Sequence, residues 1–234
     1  MAFKKILLKL SGEALMGGEG YGIDPATVKD VCLQIKNVKD LGTQIGIVVG
    51  GGNIFRGMKA EKQGMERATA DYMGMIATLL NALTLQETLE KIGVPVSIQS
   101  AINIEKVAAP YDRREAIKNL VEGKVVIFAC GTGNPYFTTD TAAALRAVEI
   151  GAEALLKATK VDGVYDCDPV THKDASLFQE ITYMDVINKK LGVMDLTAVT
   201  LCMENSLPII VFNLRGKDNM KKAIQGKRVG TMVR

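Results

Sequence analysis

Residues Ile45–Asn53 read IGIVVGGGN, an apolar, β-branched run that stops on Gly50-Gly51-Gly52. A short apolar run bounded by turn residues reads as a buried strand. Three consecutive glycines directly behind it let the backbone approach a ligand, and their N–H groups can converge on an anion. Outward from this stretch the same grammar recurs. Ile6–Leu10 runs into Ser11-Gly12, and Val94–Gln99, Val125–Cys130, Ala154–Ala158, Pro208–Phe212 and Gly230–Val233 are further strands. Asp24-Pro25 reads as an N-cap followed by proline at the first helical position. Behind it Val28, Val31, Ile35, Val38 and Leu41 recur at helical spacing until Gly42. Helices are also predicted over Ala68–Ile92 and Thr139–Ile150, around Ala116–Val121, Met184–Leu191 and Ala198–Ser206, and near Asn219–Ile224. Strands alternating with helices specify an α/β fold: a mostly parallel central sheet covered by helices on both faces. The polar segment Gly163–Phe178 interrupts the alternation and reads as a loop or hairpin insertion.

Composition narrows the function. The 234 residues are 47% hydrophobic and 24% charged, which excludes a disordered chain. A net charge of +3 is too small for a dedicated nucleic-acid binder. Trp is absent and aromatics reach only 5%, which argues against a stacking platform for single strands. Cys32, Cys130, Cys167 and Cys202 are widely spaced, and His172 is the sole histidine, so no zinc site is expected. Met1–Leu10 has no signal-peptide pattern, and no apolar run reaches the ~18–20 residues of a membrane span. The expectation is a cytoplasmic protein with reduced thiols, no membrane association and one domain.

In a parallel α/β sheet, ligands gather at the carboxyl ends of the strands. Lys9 sits near the end of the first strand, beside Ser11 and Gly12. It is either a lysine that snorkels to water or one that binds phosphate. Lys157 repeats the anomaly in the Ala154–Ala158 strand. Two such lysines, with two glycine loops, suggest a polyanionic ligand, of which a nucleotide is the obvious case. Arg56, behind the triple glycine, could clamp a phosphate. No GxxxxGK[ST] and no GxGxxG occurs. Gly131 to Asp140 is rich in small polar groups and leads into a helix N-terminus, a ready anion site. Asp140 is either that helix's cap or a carboxylate near reacting phosphates. Asp71 either faces solvent or accepts from ribose hydroxyls. Tyr165 and Asp168 could flank an adenine and its ribose. Asp195 reads as an N-cap and His172 as a solvated loop residue.

These residues carry a resemblance. Lys9-Leu10-Ser11-Gly12-Glu13-Ala14, Gly50–Asn53 with Arg56-Gly57, Gly131 through Asp140, and Lys157 through Tyr165 are similar to the motifs of the amino acid kinase family. The Gly-Thr-Gly-Asn-Pro and Lys-Ala-Thr-Lys-Val-Asp-Gly-Val stretches resemble its bacterial uridylate kinase branch, in order along nearly the whole chain. The resemblance implies a three-layer α/β/α fold, with an acceptor-binding lobe over about residues 1–150 and an ATP-binding lobe over about 151–234. It implies ATP-dependent phosphorylation of UMP to UDP in pyrimidine nucleotide biosynthesis, usually in a homohexamer. Mg²⁺ would ride on the ATP phosphates. Lys9, Leu10, Ser11 and Gly12 would contact those phosphates with Gly52 and Arg56, while Thr159, Tyr165 and Asp168 hold the adenosine end. Gly51 would face the acceptor phosphate and Asp71 the UMP ribose. Thr132, Gly133, Asn134, Pro135, Tyr136, Phe137, Thr138 and Thr139 would cradle the uridine. Lys9, Lys157, Asp140 and Arg56 would be catalytic. Gly17, Gly18, Glu19, Gly20, Tyr21 and Gly22 resemble a stretch linked to activation by GTP, and the family shows inhibition by UTP. Two other readings stay open: a family member acting on a carboxylate, carbamate or isopentenyl phosphate, and a nucleotide-sensing protein without catalysis.

Overall fold

Lys5–Leu10 (β1) forms the middle of one sheet in the computed structural model, which describes residues 3–57, 61 and 64–234. The other strands are Gln44–Val49 (β2), Val96–Ser100 (β3), Ala109–Pro110 (β4), Val125–Ala129 (β5), Ala154–Thr159 (β6), Glu180–Ile181 (β7), Ile209–Asn213 (β8) and Thr231–Val233 (β9). Among the described residues their order is β4-β3-β5-β2-β1-β6-β8-β9-β7, and every pairing is parallel except β8 with β9. The chain winds outward from β1 in two directions, to β2 on one side and β6 on the other. That makes the carboxyl end of β1 a topological switch point, where open α/β sheets leave a crevice.

Helices cover both faces. Pro25–Lys39 (α1), Arg67–Lys91 (α2) and Asn219–Ile224 (α7) pack on one, against Ile6, Leu8, Ile47, Leu156 and Phe212. Arg113–Val121 (α3), Thr139–Ile150 (α4), Tyr183–Asn188 (α5) and Leu196–Glu204 (α6) pack on the other, against Leu7, Val48, Phe128 and Leu155. The odd residues of β1 thus face α4, so Lys9 shares a face with Leu7. Helix α4 lies close because its buried face is Ala142, Ala143, Ala144 and Ala147. A Cβ at Gly46 would stand 2.9 Å from Ile150 Cδ1 and 3.0 Å from Phe128 Cε2, so only glycine admits the helix there.

The caps follow the sequence. Asp24 accepts from Thr27 N at 2.8 Å and starts α1, with Pro25 in its first turn. Helix α1 ends at Lys39, not at Gly42, and Leu41, expected on its buried face, is 48% exposed. Val94 and Pro95 precede β3 rather than belong to it. Cys130 leaves β5 with a φ of 62°, which turns the chain out of the sheet. The Gly163–Phe178 insertion is a hairpin pinned by an antiparallel bridge of Tyr165 to Leu177. The two-residue strands β4 and β7 had no periodic signal to announce them.

The glycine turn after β2 is held by an amide pair. Asn81 of α2 is fully buried, and its Nδ2 donates to Gly50 O and Asn53 Oδ1, each at 2.7 Å. Asn53 Nδ2 donates back to Asn81 Oδ1 at 3.0 Å and to Gly22 O at 2.8 Å. Gly12 presses against the same cluster: a Cβ there would lie 2.3 Å from Asn53 Oδ1 and 2.6 Å from Gly50 O. Asn81→Ala takes the side-chain donor from two acceptors, Gly50 O and Asn53 Oδ1. The expected loss is about 2–3 kcal/mol of stability, read as a lower denaturant midpoint with an unchanged slope.

Candidate active site

Lys9 and Lys157 are Cα partners across the β1–β6 ladder, so the register alone sets their ammonium groups side by side. Two like charges so close need a counter-charge, and α4 brings it. Lys9 Nζ lies 2.5 Å from Asp140 Oδ1, and Lys157 Nζ lies 2.8 Å from Oδ2. Lys157 also donates to the carbonyl of Val193. All three side chains are nearly buried, at 9%, 13% and 15% exposure for Lys9, Lys157 and Asp140. Burial opposes the charge on Asp140, but the two ammonium groups outweigh it and hold the carboxyl below its ordinary value. Burial pulls Lys157 below the ordinary lysine value, and Asp140 only partly restores it.

Asp140 is free for the lysines because it does not cap α4. Thr138 is the N-cap and accepts from Asp140 N at 3.0 Å and Thr141 N at 3.3 Å. Thr138 in turn donates to Asp195, which caps α6 through Ala198 N at 3.0 Å and accepts from Thr141 Oγ1 at 2.9 Å. One carboxylate thereby ties together the starts of two helices.

Two cavities are lined by Lys157, one of them also by Lys9, and a third is lined by Thr138 and Thr139, the residues just before Asp140. The smallest, about 160 Å³, is lined by Gly51, Gly52, Asp71, Thr132, Phe137, Thr138 and Thr139, together with Met75 and Thr78 of α2. Asp71 is drawn inward rather than facing solvent: its Oδ2 accepts from Tyr136 N at 2.8 Å and from Arg67 Nε at 2.9 Å. Gly51 is glycine because a Cβ would sit 2.7 Å from Gly74 O, whereas no described atom lies within 4 Å of that point on Gly52. Gly52 therefore offers its backbone to whatever enters. Gly133, Asn134, Pro135 and Tyr136 do not line this cavity. Gly133 packs on Ala101, and Tyr136 is 68% exposed at a φ of 73°.

A second cavity, about 460 Å³, is lined by Lys157, Thr159, Tyr165 and Asp168 together with Lys189–Val193. Thr159 Oγ1 is committed to Val161 O at 2.7 Å, and Asp168 Oδ1 accepts from Val170 N at 2.9 Å. The third, about 800 Å³, is lined by Lys9, Ser11, Glu13, Gly17, Gly18, Lys157, Thr159 and Lys160. Of the Gly17–Gly22 stretch only Gly17 and Gly18 reach it; Glu19, Gly20 and Tyr21 are exposed, and Gly22 is bonded to Asn53. The side chain of Leu10 is fully buried and its carbonyl accepts from Gly50 N at 2.9 Å. Arg56 is exposed, anchored by Nε to Gly52 O at 3.0 Å and paired with Glu13. His172 is exposed in the hairpin.

Sequence reasoning gave no role to Glu13, Lys160, Asn81 or the Val193 carbonyl. Lys160 and Glu13 were visible inside the strand-end motifs. Asn81 carried no signal, since an asparagine in a helix is ordinary until its neighbours are known. Among the described residues no helix is long and apolar enough to cross a membrane.

Comparison with known proteins gives one family. The model of the amino acid kinase family matches residues 4–213. The UMP kinase from Bacillus anthracis is 36% identical with a TM-score of 0.96, over 100% of this chain and 96% of that one. The UMP kinase from Ureaplasma parvum is 36% identical with a TM-score of 0.92, over 100% and 99% of the two chains. The uridylate kinase from Archaeoglobus fulgidus is 28% identical with a TM-score of 0.77, over 100% of both.

Asp140→Asn leaves two near-buried ammonium groups without their counter-charge. The expected cost is about 3 kcal/mol, or roughly 6–12 °C in melting temperature, read by thermal unfolding.

Proposed function

We propose that this chain, which belongs to the amino acid kinase family, transfers the terminal phosphoryl group of ATP to UMP, giving UDP and ADP. The observation that carries this reading is the Lys9–Asp140–Lys157 centre, whose lysines line two cavities and whose Asp140 directly follows Thr138–Thr139 of a third. Phosphoryl transfer asks a protein for positioning and charge rather than covalent chemistry. A phosphate oxygen of UMP bonds to the γ-phosphorus while the bond to the ADP oxygen breaks. Negative charge shifts onto the transferred group and the leaving oxygen. Two ammonium groups fixed by the sheet stand ready for it and need no reorganisation.

The roles divide along the sheet. We assign residues 1–150, which carry β1–β5, to the acceptor and residues 151–234, which carry β6–β9, to ATP. UMP would occupy the cavity of about 160 Å³, its phosphate at Gly51, its ribose at Asp71 and its base along Thr132 and Phe137–Thr139. Adenosine would enter the cavity of about 460 Å³ beside Thr159, Tyr165 and Asp168. The phosphates would then run toward Lys9, Ser11, Gly12, Gly52 and Arg56. Asp140 aims both lysines. Magnesium would arrive on the ATP phosphates and neutralise part of their charge. The donor set fits that arrangement, because both Asp140 oxygens already face lysines.

The same reading extends to context. Activation by GTP would act through Gly17–Gly22, since Gly22 is bonded in both directions to Asn53 beside Gly52; UTP would inhibit. A cytoplasmic homohexamer would cover Tyr72, Met73, Ile76 and Leu80, which stand 40–48% exposed along α2. The reaction would serve pyrimidine nucleotide synthesis.

The test is ADP release from Mg-ATP with UMP, CMP, dTMP, AMP, GMP, acetylglutamate and carbamate offered in parallel. Turnover with UMP alone is expected; turnover on an acid instead overturns the substrate assignment. Lys9→Ala should lower kcat by about 10²–10³. Lys157 must be protonated to work, and its value lies below 10.5. Activity should therefore fall as pH rises through that lowered value, on an alkaline limb that Lys157→Arg removes.

A further inference from the structure

We propose that Glu13 is a built-in stand-in for the donor phosphate: its carboxylate occupies the two cations, Arg56 and Lys160, that an incoming nucleotide must recruit, and releases them on binding. The inference rests on the ATP-dependent reading above and deepens it by assigning the residue that sets donor affinity.

Glu13 lies in the short 3₁₀ helix Gly12–Leu15, directly behind β1. Its Oε1 is 2.5 Å from Arg56 Nη2 and its Oε2 is 2.8 Å from Lys160 Nζ. The partners come from two other strand ends, Arg56 behind β2 and Lys160 behind β6. One carboxylate thus bridges three loops, and with Lys160, Lys9 and Ser11 it lines the cavity of about 800 Å³. A terminal phosphate would present the same feature, two anionic oxygens between a guanidinium and an ammonium.

The pairs at Glu13 differ in kind from those at Asp140. Arg56, Lys160 and Glu13 are 54%, 47% and 32% exposed, against 9–15% for the Lys9–Asp140–Lys157 centre. Exposed pairs are weak and screened, so they exchange readily. The hydrogen bond from Lys160 holds the Glu13 carboxyl below its ordinary value, so it is charged wherever the enzyme works. Arg56 is anchored at Nε to Gly52 O, and the space around Gly52 is open among the described residues. The guanidinium can therefore trade its carboxylate for a phosphate arriving at Gly52 without leaving its anchor. A carboxylate also repels the phosphates it resembles, which weakens donor binding and speeds release of the product ADP.

The experiment is calorimetric binding of Mg-ADP and of inorganic tripolyphosphate to wild type, Glu13→Gln, Glu13→Asp and Glu13→Ala. The glutamine keeps the size and removes the charge. It is expected to bind both ligands about 3–10-fold more tightly, with a steeper salt dependence and an unchanged KM for UMP. The aspartate, too short to reach both cations, should fall between. Unchanged or weaker binding by both the glutamine and the alanine overturns the proposal, because a residue that merely shapes the loop cannot tighten binding when removed. Wild type that binds neither ligand overturns the ATP reading itself; wild type that binds, with variants no tighter, overturns the role of Glu13 alone.

Discussion

One carboxylate between two lysines is the constraint on which the molecule depends. Asp140, Lys9 and Lys157 lie in a region with little water, where unbalanced charge is expensive. Their net charge is positive, and it sits at the N-terminus of α4, whose dipole adds to it. Such a centre is tolerable only if the geometry is tight. The β1–β6 register supplies one dimension and the close seating of α4 the other. Gly46 and the alanine face of α4 are therefore as much part of the charge centre as the lysines, though none of them is polar.

Around this fixed centre the structure keeps a second, looser class of charge. Arg56, Glu13 and Lys160 are partly exposed and belong to loops. The buried set is held rigidly by the sheet and α4, while the exposed set rests on weaker, solvent-screened pairs. The Asn53–Asn81 pair lies between the two classes and fixes the backbone of the glycine turn, while Gly52 stays open for a ligand.

Much of this was legible in the sequence because the signals were local. Apolar runs ending on glycine located the strands and the crevice, and Asp24-Pro25 placed the start of α1. The lysines stood out as charges in apolar runs, but their pairing did not, since register is a property of two strands together. Asp140 was readable as a cap or as a carboxylate near reacting phosphates, and the Thr138 cap removes the first reading. Leu41 misled because the period of three and four continues past Lys39 by chance, while the chain has already turned. The Asn53–Asn81 pair and the ties of Asp195 to Thr138 and Thr141 span 28, 57 and 54 residues, beyond any pattern along the chain.

The shared rung of Lys9 and Lys157 has a consequence for how the protein can move. Side chains alternate along a strand, so sliding β6 by one residue would turn Lys157 to the face of α1 and break the centre. The ladder therefore works as a ruler that cannot be adjusted without unzipping the sheet. Any motion that admits or expels a nucleotide is left to the loops beyond the rungs: the turn after β2, the segment before α4 and the Gly163–Phe178 hairpin. Those loops are also the places where length and composition can drift, so substrate choice can change while the spacing of the two positive charges stays the same.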